Sequence, residues 1–140
     1  MNHNAIFTPV CAQVFLTFSV AVVLLTKRIG AIDKNKVHPQ ALADEARERE
    51  VFKNVVNISD NFENLFEVPV LFYVAALVIA IAGLTDQLYL GLAWAFVFFR
   101  VIHSIIHCTT NKVRHRFMAY LLSSVALLIL WGRLAWSLLG

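Results

Sequence analysis

Apolar residues run in long blocks along the chain, and charged residues fall between them. Ala5 to Thr26 is 22 residues without a charge and ends at Lys27 and Arg28. A helix needs about 20 apolar residues to cross the hydrocarbon core of a bilayer, so this block predicts a transmembrane helix. A polar segment follows, in which Pro39 opens a helix-forming, charged stretch, PQALADEAREREVFKNVVN. Proline suits the first helical position, because its missing N–H has no partner there in any case. The pattern predicts one long helix from Pro39 into a second span that is uncharged from Val68 to Thr85. Gly83 to Gln87 reads as a tight turn. A third span begins at Leu88 and a fourth at Phe117. The expected helices are therefore 5–27, 39–83, 88–111 and 117–138: an all-α, four-helix transmembrane domain over residues 1–140.

Composition agrees with this reading. The chain is 59% hydrophobic, with eleven Phe and three Trp. The N-terminus has neither a basic region nor a small-residue cleavage pattern, so the first block reads as a retained helix and not a signal peptide. The net charge of +3 is set by topology. Seven of the twelve Lys and Arg lie between Lys27 and Lys53, and three more are Lys112, Arg114 and Arg116. No basic patch interleaved with aromatics appears, which argues against a nucleic-acid partner. Short loops on the cytoplasmic side are enriched in Lys and Arg. Loops one and three are thus expected to be cytoplasmic, with both termini on the opposite side.

Three polar constellations interrupt the apolar pattern. In the third span, Arg100, His103, Ser104, His107 and Asn111 fall within about a 100° arc of a helix. Charge in hydrocarbon is costly, so such a stripe faces a bundle interior or a solvated cavity. His103 and His107, at i and i+4, are spaced for two metal ligands on one face. Five histidines are too few for a membrane di-iron centre, and no metal site is assigned. In the second helix Asn54, Asn57, Asn61 and Asn64 recur at helical spacing beside Asp60, Glu63 and Glu67. They serve either as glue between helices or as the lining of a polar ligand site. Arg100 needs a carboxylate partner, and Glu67 or Glu63 is nearest by depth. The third constellation is the basic cluster Lys112, Arg114, His115 and Arg116. Lys112 and Arg114 fit ordinary positive-inside topology. Arg116 adjoins the apolar block, where a guanidinium can bind a carboxylate or stabilise a thiolate.

These residues together resemble the MAPEG family, the membrane-associated proteins in eicosanoid and glutathione metabolism, to which microsomal prostaglandin E synthase and leukotriene C synthase belong. The resemblance lies in four short spans, an N-x-x-E pair before a proline in helix two, and R-x-x-H-[ST] in helix three. On it, Arg100, His103 and Ser104 are similar to the family's helix-three triplet. Arg116 resembles the arginine that faces the glutathione thiol, and Tyr120 the tyrosine one turn on. Asn64 with Glu67, or Asn61 with Glu63, resembles the Asn/Glu pair. Two positions depart from prostaglandin E synthase: His107 replaces a tyrosine that contacts glutathione, and Phe117 a serine beside the arginine.

The resemblance implies a homotrimer with sites between subunits, glutathione as co-substrate, and a lipophilic electrophile entering from the lipid. Arg116 and Tyr120 are then the expected catalytic residues. Asn61, Asn64, Glu63, Glu67, Arg100, His103, Ser104, His107 and Lys112 are the expected substrate-binding residues. Two alternatives remain at this level. One is a non-catalytic lipid-binding scaffold of the same fold. The other is a small multidrug exporter, against which stands a first span without any ionisable residue.

Overall fold

The computed structural model describes residues 3–139. Its helices are α1 (Phe7–Asn35), α2 (Glu45–Phe52), α3 (Val56–Asn64), α4 (Val68–Ile81), α5 (Gln87–Cys108) and α6 (Val113–Leu139), with short 3-10 turns at His3–Ile6 and Pro39–Ala43. Four stretches are long and apolar enough to cross a membrane: Asn4–Asn35, Val56–Ile81, Gln87–Cys108 and Val113–Leu139. The molecule is an all-α, integral membrane four-helix bundle.

The first helix is longer than its apolar block. Its 29 residues extend about 44 Å, well beyond a hydrocarbon core of about 30 Å, so the turns from Lys27 to Asn35 stand clear of it. It stops at Lys36, which adopts the left-handed conformation (φ 49°) and donates its N–H to the Asp33 carbonyl.

The second helix differs most from its expectation. In place of one helix over 39–83, the chain makes a 3-10 turn, α2, α3 and α4. The break that matters falls between Asn64 and Val68. Pro69 has no N–H to offer the Leu65 carbonyl, so it suits the start of a helix and not its interior. The chain turns out of helical geometry at Glu67 (φ −95°, ψ −97°) before α4 begins. The Asn64 carbonyl is thereby left without an intrahelical partner.

Helices α5 and α6 form the tightest pair, joined by a four-residue link, Thr109 to Lys112. Asn111 takes the left-handed conformation there (φ 45°), which asparagine tolerates better than most residues. With α4 they enclose the main core. Ala75, Ala76, Ala93 and Ala126 are buried in it, which lets the helix backbones approach closely. Phe72 stacks on Phe96 with ring centroids 4.6 Å apart. Between lipid-immersed helices such packing, and not expulsion of water, supplies the cohesion. A second core, Val20, Leu24, Val55, Ile58 and Leu65, holds α1 against α3.

At the opposite end of the bundle, Asp86 caps α5 by accepting the Tyr89 N–H (2.9 Å). The same carboxylate receives both terminal nitrogens of Arg133 from α6. The guanidinium lies 4.1 Å from the centre of the Tyr89 ring. Arg133 thus ties the α4–α5 turn to α6, a role beyond the snorkelling that its place near the end of a span allows.

Candidate functional site

The stripe on α5 points inward. Arg100, His103, Ser104 and His107 are all buried. They do not act as one group, however, because α3 and α6 approach them from different sides.

Toward α3, Ser104 donates to the Asn61 side-chain oxygen (3.2 Å), and the Asn61 amide donates to the Cys108 sulfur (3.3 Å). Both residues are buried, and their polar atoms are committed to one another. This is an interhelical clamp, the role that buried amides and hydroxyls commonly play in membranes.

Toward α6 lies a different arrangement. Arg116 stands in the first turn of α6, four residues past the link. Its Nη1 donates to His107 Nε2 (2.6 Å) and to the Asn111 side-chain oxygen (2.7 Å). Asn111 in turn donates to the Asn57 side-chain oxygen of α3 (2.8 Å). The chain Asn57–Asn111–Arg116–His107 orients one edge of the guanidinium. No hydrogen bond among the described residues involves Arg116 Nε or Nη2, so the other edge of the fork is open.

An acceptor at His107 Nε2 requires the proton on Nδ1, which is buried and has no partner. His103 uses its Nδ1–H on the Arg116 carbonyl (3.1 Å), leaving Nε2 as a buried, unpaired acceptor. The two rings meet edge to face, 5.3 Å apart, and Tyr120 lies 5.8 Å from His103. Asn64, His103, Val113, Arg116, Phe117 and Tyr120 together line a cavity of about 190 Å³.

Arg100 sits behind this cavity, fully buried. Its partner is not the carboxylate expected from depth. Nη2 donates to the backbone carbonyl of Asn64 (2.6 Å), the one freed by the break before Pro69. The guanidinium carbon lies 5.8 Å from the Tyr120 ring centre. Nε and Nη1 are buried and unpaired. Among the described residues no carboxylate pairs with it, and both Glu63 and Glu67 are exposed.

The residues singled out in the sequence are therefore divided. Asn64, His103, Arg116 and Tyr120 line one cavity, and His107 and Arg100 lie behind its wall, against Arg116 and Tyr120 respectively. Asn61 and Ser104 form the clamp. Glu63 lines a separate depression with Arg28, Arg49 and Asp60. Glu67 and Lys112 are exposed and make no ion pair with any described residue. Phe117, 59% exposed, forms one wall of the cavity. Sequence reasoning missed the part played by Asn111 and Asn57. The signal available was an asparagine in a four-residue interhelical link, where left-handed backbone is common.

The MAPEG family model matches residues 6–136, nearly the whole chain. The chain belongs to the MAPEG family. No curated protein and no solved structure matches it significantly. This family includes glutathione-dependent transferases and peroxidases, and its members commonly use glutathione.

Proposed function

We propose that this MAPEG protein is a membrane-embedded, glutathione-dependent transferase or peroxidase acting on lipophilic electrophiles. The observation that carries the reading is the half-open Arg116 fork. One edge is held by His107 and Asn111, and the other is unpaired beside a cavity shared with Tyr120. A fixed guanidinium with a free edge suits a thiolate, whose anionic form it favours. The two unpaired Arg100 donors suit a carboxylate of the same tripeptide.

In this mechanism the glutathione thiol loses its proton to solvent, and Arg116 and the Tyr120 hydroxyl hold the sulfur anion. The thiolate attacks the electrophilic carbon. A C–S bond forms, and the leaving group departs with its electron pair. With a hydroperoxide the sulfur attacks the O–O bond instead, and the alkoxide leaves and is protonated. A second glutathione then reduces the sulfenate, giving water and the disulfide. The protein positions and desolvates a nucleophile that is already competent.

A cavity of about 190 Å³ is small beside the roughly 300–1,000 Å³ of ordinary ligand sites. A homotrimer with the site between subunits accounts for this. It also gives Glu63, Glu67 and Lys112, exposed in one chain, a ligand or a neighbour to face.

The test is ultraviolet difference spectroscopy with glutathione near neutral pH. A free thiol titrates near about 8.5, so thiolate absorbance at pH 7 on adding protein reports stabilisation. The signal is expected from the wild type and from Arg114→Ala, and is expected to vanish in Arg116→Ala. No thiolate at saturating glutathione would leave the second reading, a non-catalytic lipid-binding protein. A groove of about 300 Å³ between α1 and α5, lined by Leu16, Val20, Val23, Ile105 and Cys108, favours that alternative.

A further inference from the structure

Outside the candidate site, a large concavity lies on the flank of α1 beyond the end of its apolar block. It encloses about 780 Å³ between that helix and the α2–α3 link. One wall carries Lys27, Gly30, Ala31 and Lys34, at positions i, i+3, i+4 and i+7 of α1, and so on one face. The facing wall carries Glu50, Lys53 and Asn54. None of the three lysines makes a hydrogen bond or ion pair with any described residue. The single carboxylate, Glu50, is engaged by Arg47 at 2.6 Å.

Three ammonium groups around one hollow repel one another, and none of them has an ion-pair partner among the described residues. An anion in the groove would. The floor suits an occupant of some size: a Cβ added at Gly30 would meet nothing within 4 Å. The backbone adds two opposing terms. The last carbonyls of α1 disfavour an anion near Asn35, whereas α3 opens beside Asn54 with no side chain capping its free N–H groups. The lysines decide the sign.

Depth identifies the kind of anion. Lys27 directly follows the apolar block and stands at the hydrocarbon boundary. Lys34 lies seven residues on, about 10 Å further along the axis. A soluble anion has no reason to require that placement, whereas a lipid headgroup occupies this layer. We propose that the groove binds the headgroup of an anionic phospholipid bearing more than one phosphate. Lys27 meets the phosphate nearest the acyl chains, and Lys34 and Lys53 meet the distal charge. This site is separate from the glutathione cavity and does not depend on the reading of that cavity.

The experiment is native mass spectrometry of the delipidated protein in detergent, titrated with diphosphatidylglycerol, phosphatidylcholine or inorganic pyrophosphate. Wild type should retain diphosphatidylglycerol in preference to phosphatidylcholine. Lys27→Gln/Lys34→Gln/Lys53→Gln should weaken that retention about a hundredfold, at roughly fivefold per lysine. Lys36→Gln/Arg114→Gln, which removes basic residues outside the groove, should behave as wild type. Should the triple variant fail to fold, Lys34→Gln alone, clear of the membrane, should show the fivefold loss. Equal retention of both lipids, no loss in the lysine variants, or an equal loss in the control pair would overturn the proposal. Displacement by pyrophosphate at the concentration at which the lipid binds would assign the groove to a soluble anion and overturn it too.

Discussion

At the scale of single residues, side chains and backbone do separable work. Asn111 supplies both a left-handed turn and two hydrogen bonds that hold Arg116 and reach Asn57. Asn111→Gly keeps the turn and deletes the bonds. Relief of left-handed strain, about 1 kcal/mol, offsets most of the lost bonding, so thermal stability in detergent should change little. Glutathione thiolate absorbance should fall, because Arg116 loses its restraint. A variant with an unchanged thiolate signal would show that Asn111 serves the turn alone. Gln13 presents the opposite case. It is fully buried in α1, and neither its amide oxygen nor its nitrogen has a partner among the described residues. An unmade hydrogen bond costs about 1–3 kcal/mol, so Gln13→Met should raise the melting temperature. A lower melting temperature would mean that a partner outside the chain satisfies the amide.

At the scale of elements, the α3–α4 break is the main structural device. Pro69→Ala removes the obstacle to a continuous helix, allowing the Val68 N–H to reach the Asn64 carbonyl. Arg100 then loses its only hydrogen-bond acceptor among the described residues. Amide exchange at Val68 should slow, and the melting temperature in detergent should fall, because a buried guanidinium loses a hydrogen bond worth about 1.5–3 kcal/mol. Unchanged exchange would place the origin of the break elsewhere. At the far end, the Asp86–Arg133 pair joins the α4–α5 turn to α6. Hydrogen bonds from Arg133 hold the Asp86 carboxyl down at about 2, against an ordinary 3.8. A carboxyl depressed by folding adds stability above its unfolded value and loses it as pH falls. The wild-type advantage over Asp86→Asn should therefore be full above pH 4 and fade between 3.8 and about 2. A difference in melting temperature that is flat over that window would remove the pair from the account. Asp86 is 44% exposed, so the effect is modest.

At the scale of the whole molecule, several exposed or unpaired polar groups share one end of the bundle. The open edge of Arg116, the exposed Glu63, Glu67 and Lys112, and the lysine groove all lie toward loops one and three. A homotrimer would close the first set between subunits. Light scattering of the detergent complex should give a protein mass three times the 15.8 kDa of the chain. A stable monomer that still binds glutathione would remove the intersubunit site. On the charge asymmetry of the loops, we propose that the same end faces the cytoplasm. A cysteine at Asn35 should resist an impermeant reagent applied from outside, and one at Gln87 should react. The reverse labelling would invert the orientation.

The sequence by itself determined what depends on local sums: four apolar spans, the polar ends between them, the inward stripe of Arg100, His103, Ser104 and His107, and the family. Hydropathy and helical period are properties of neighbours along the chain, so these were legible without the fold. Tertiary structure decided which polar groups meet. The α5 stripe reads as one surface, yet α3 claims Ser104 through Asn61, while α6 claims His103 and His107 through Arg116. Depth alone assigned Arg100 a carboxylate, but the chain turns at Glu67 and presents the Asn64 carbonyl in its place. Pro69 was visible in the sequence. That the break before it would free an acceptor facing an arginine thirty-six residues away depends on how α3 packs against α5, and no periodicity along the chain records that.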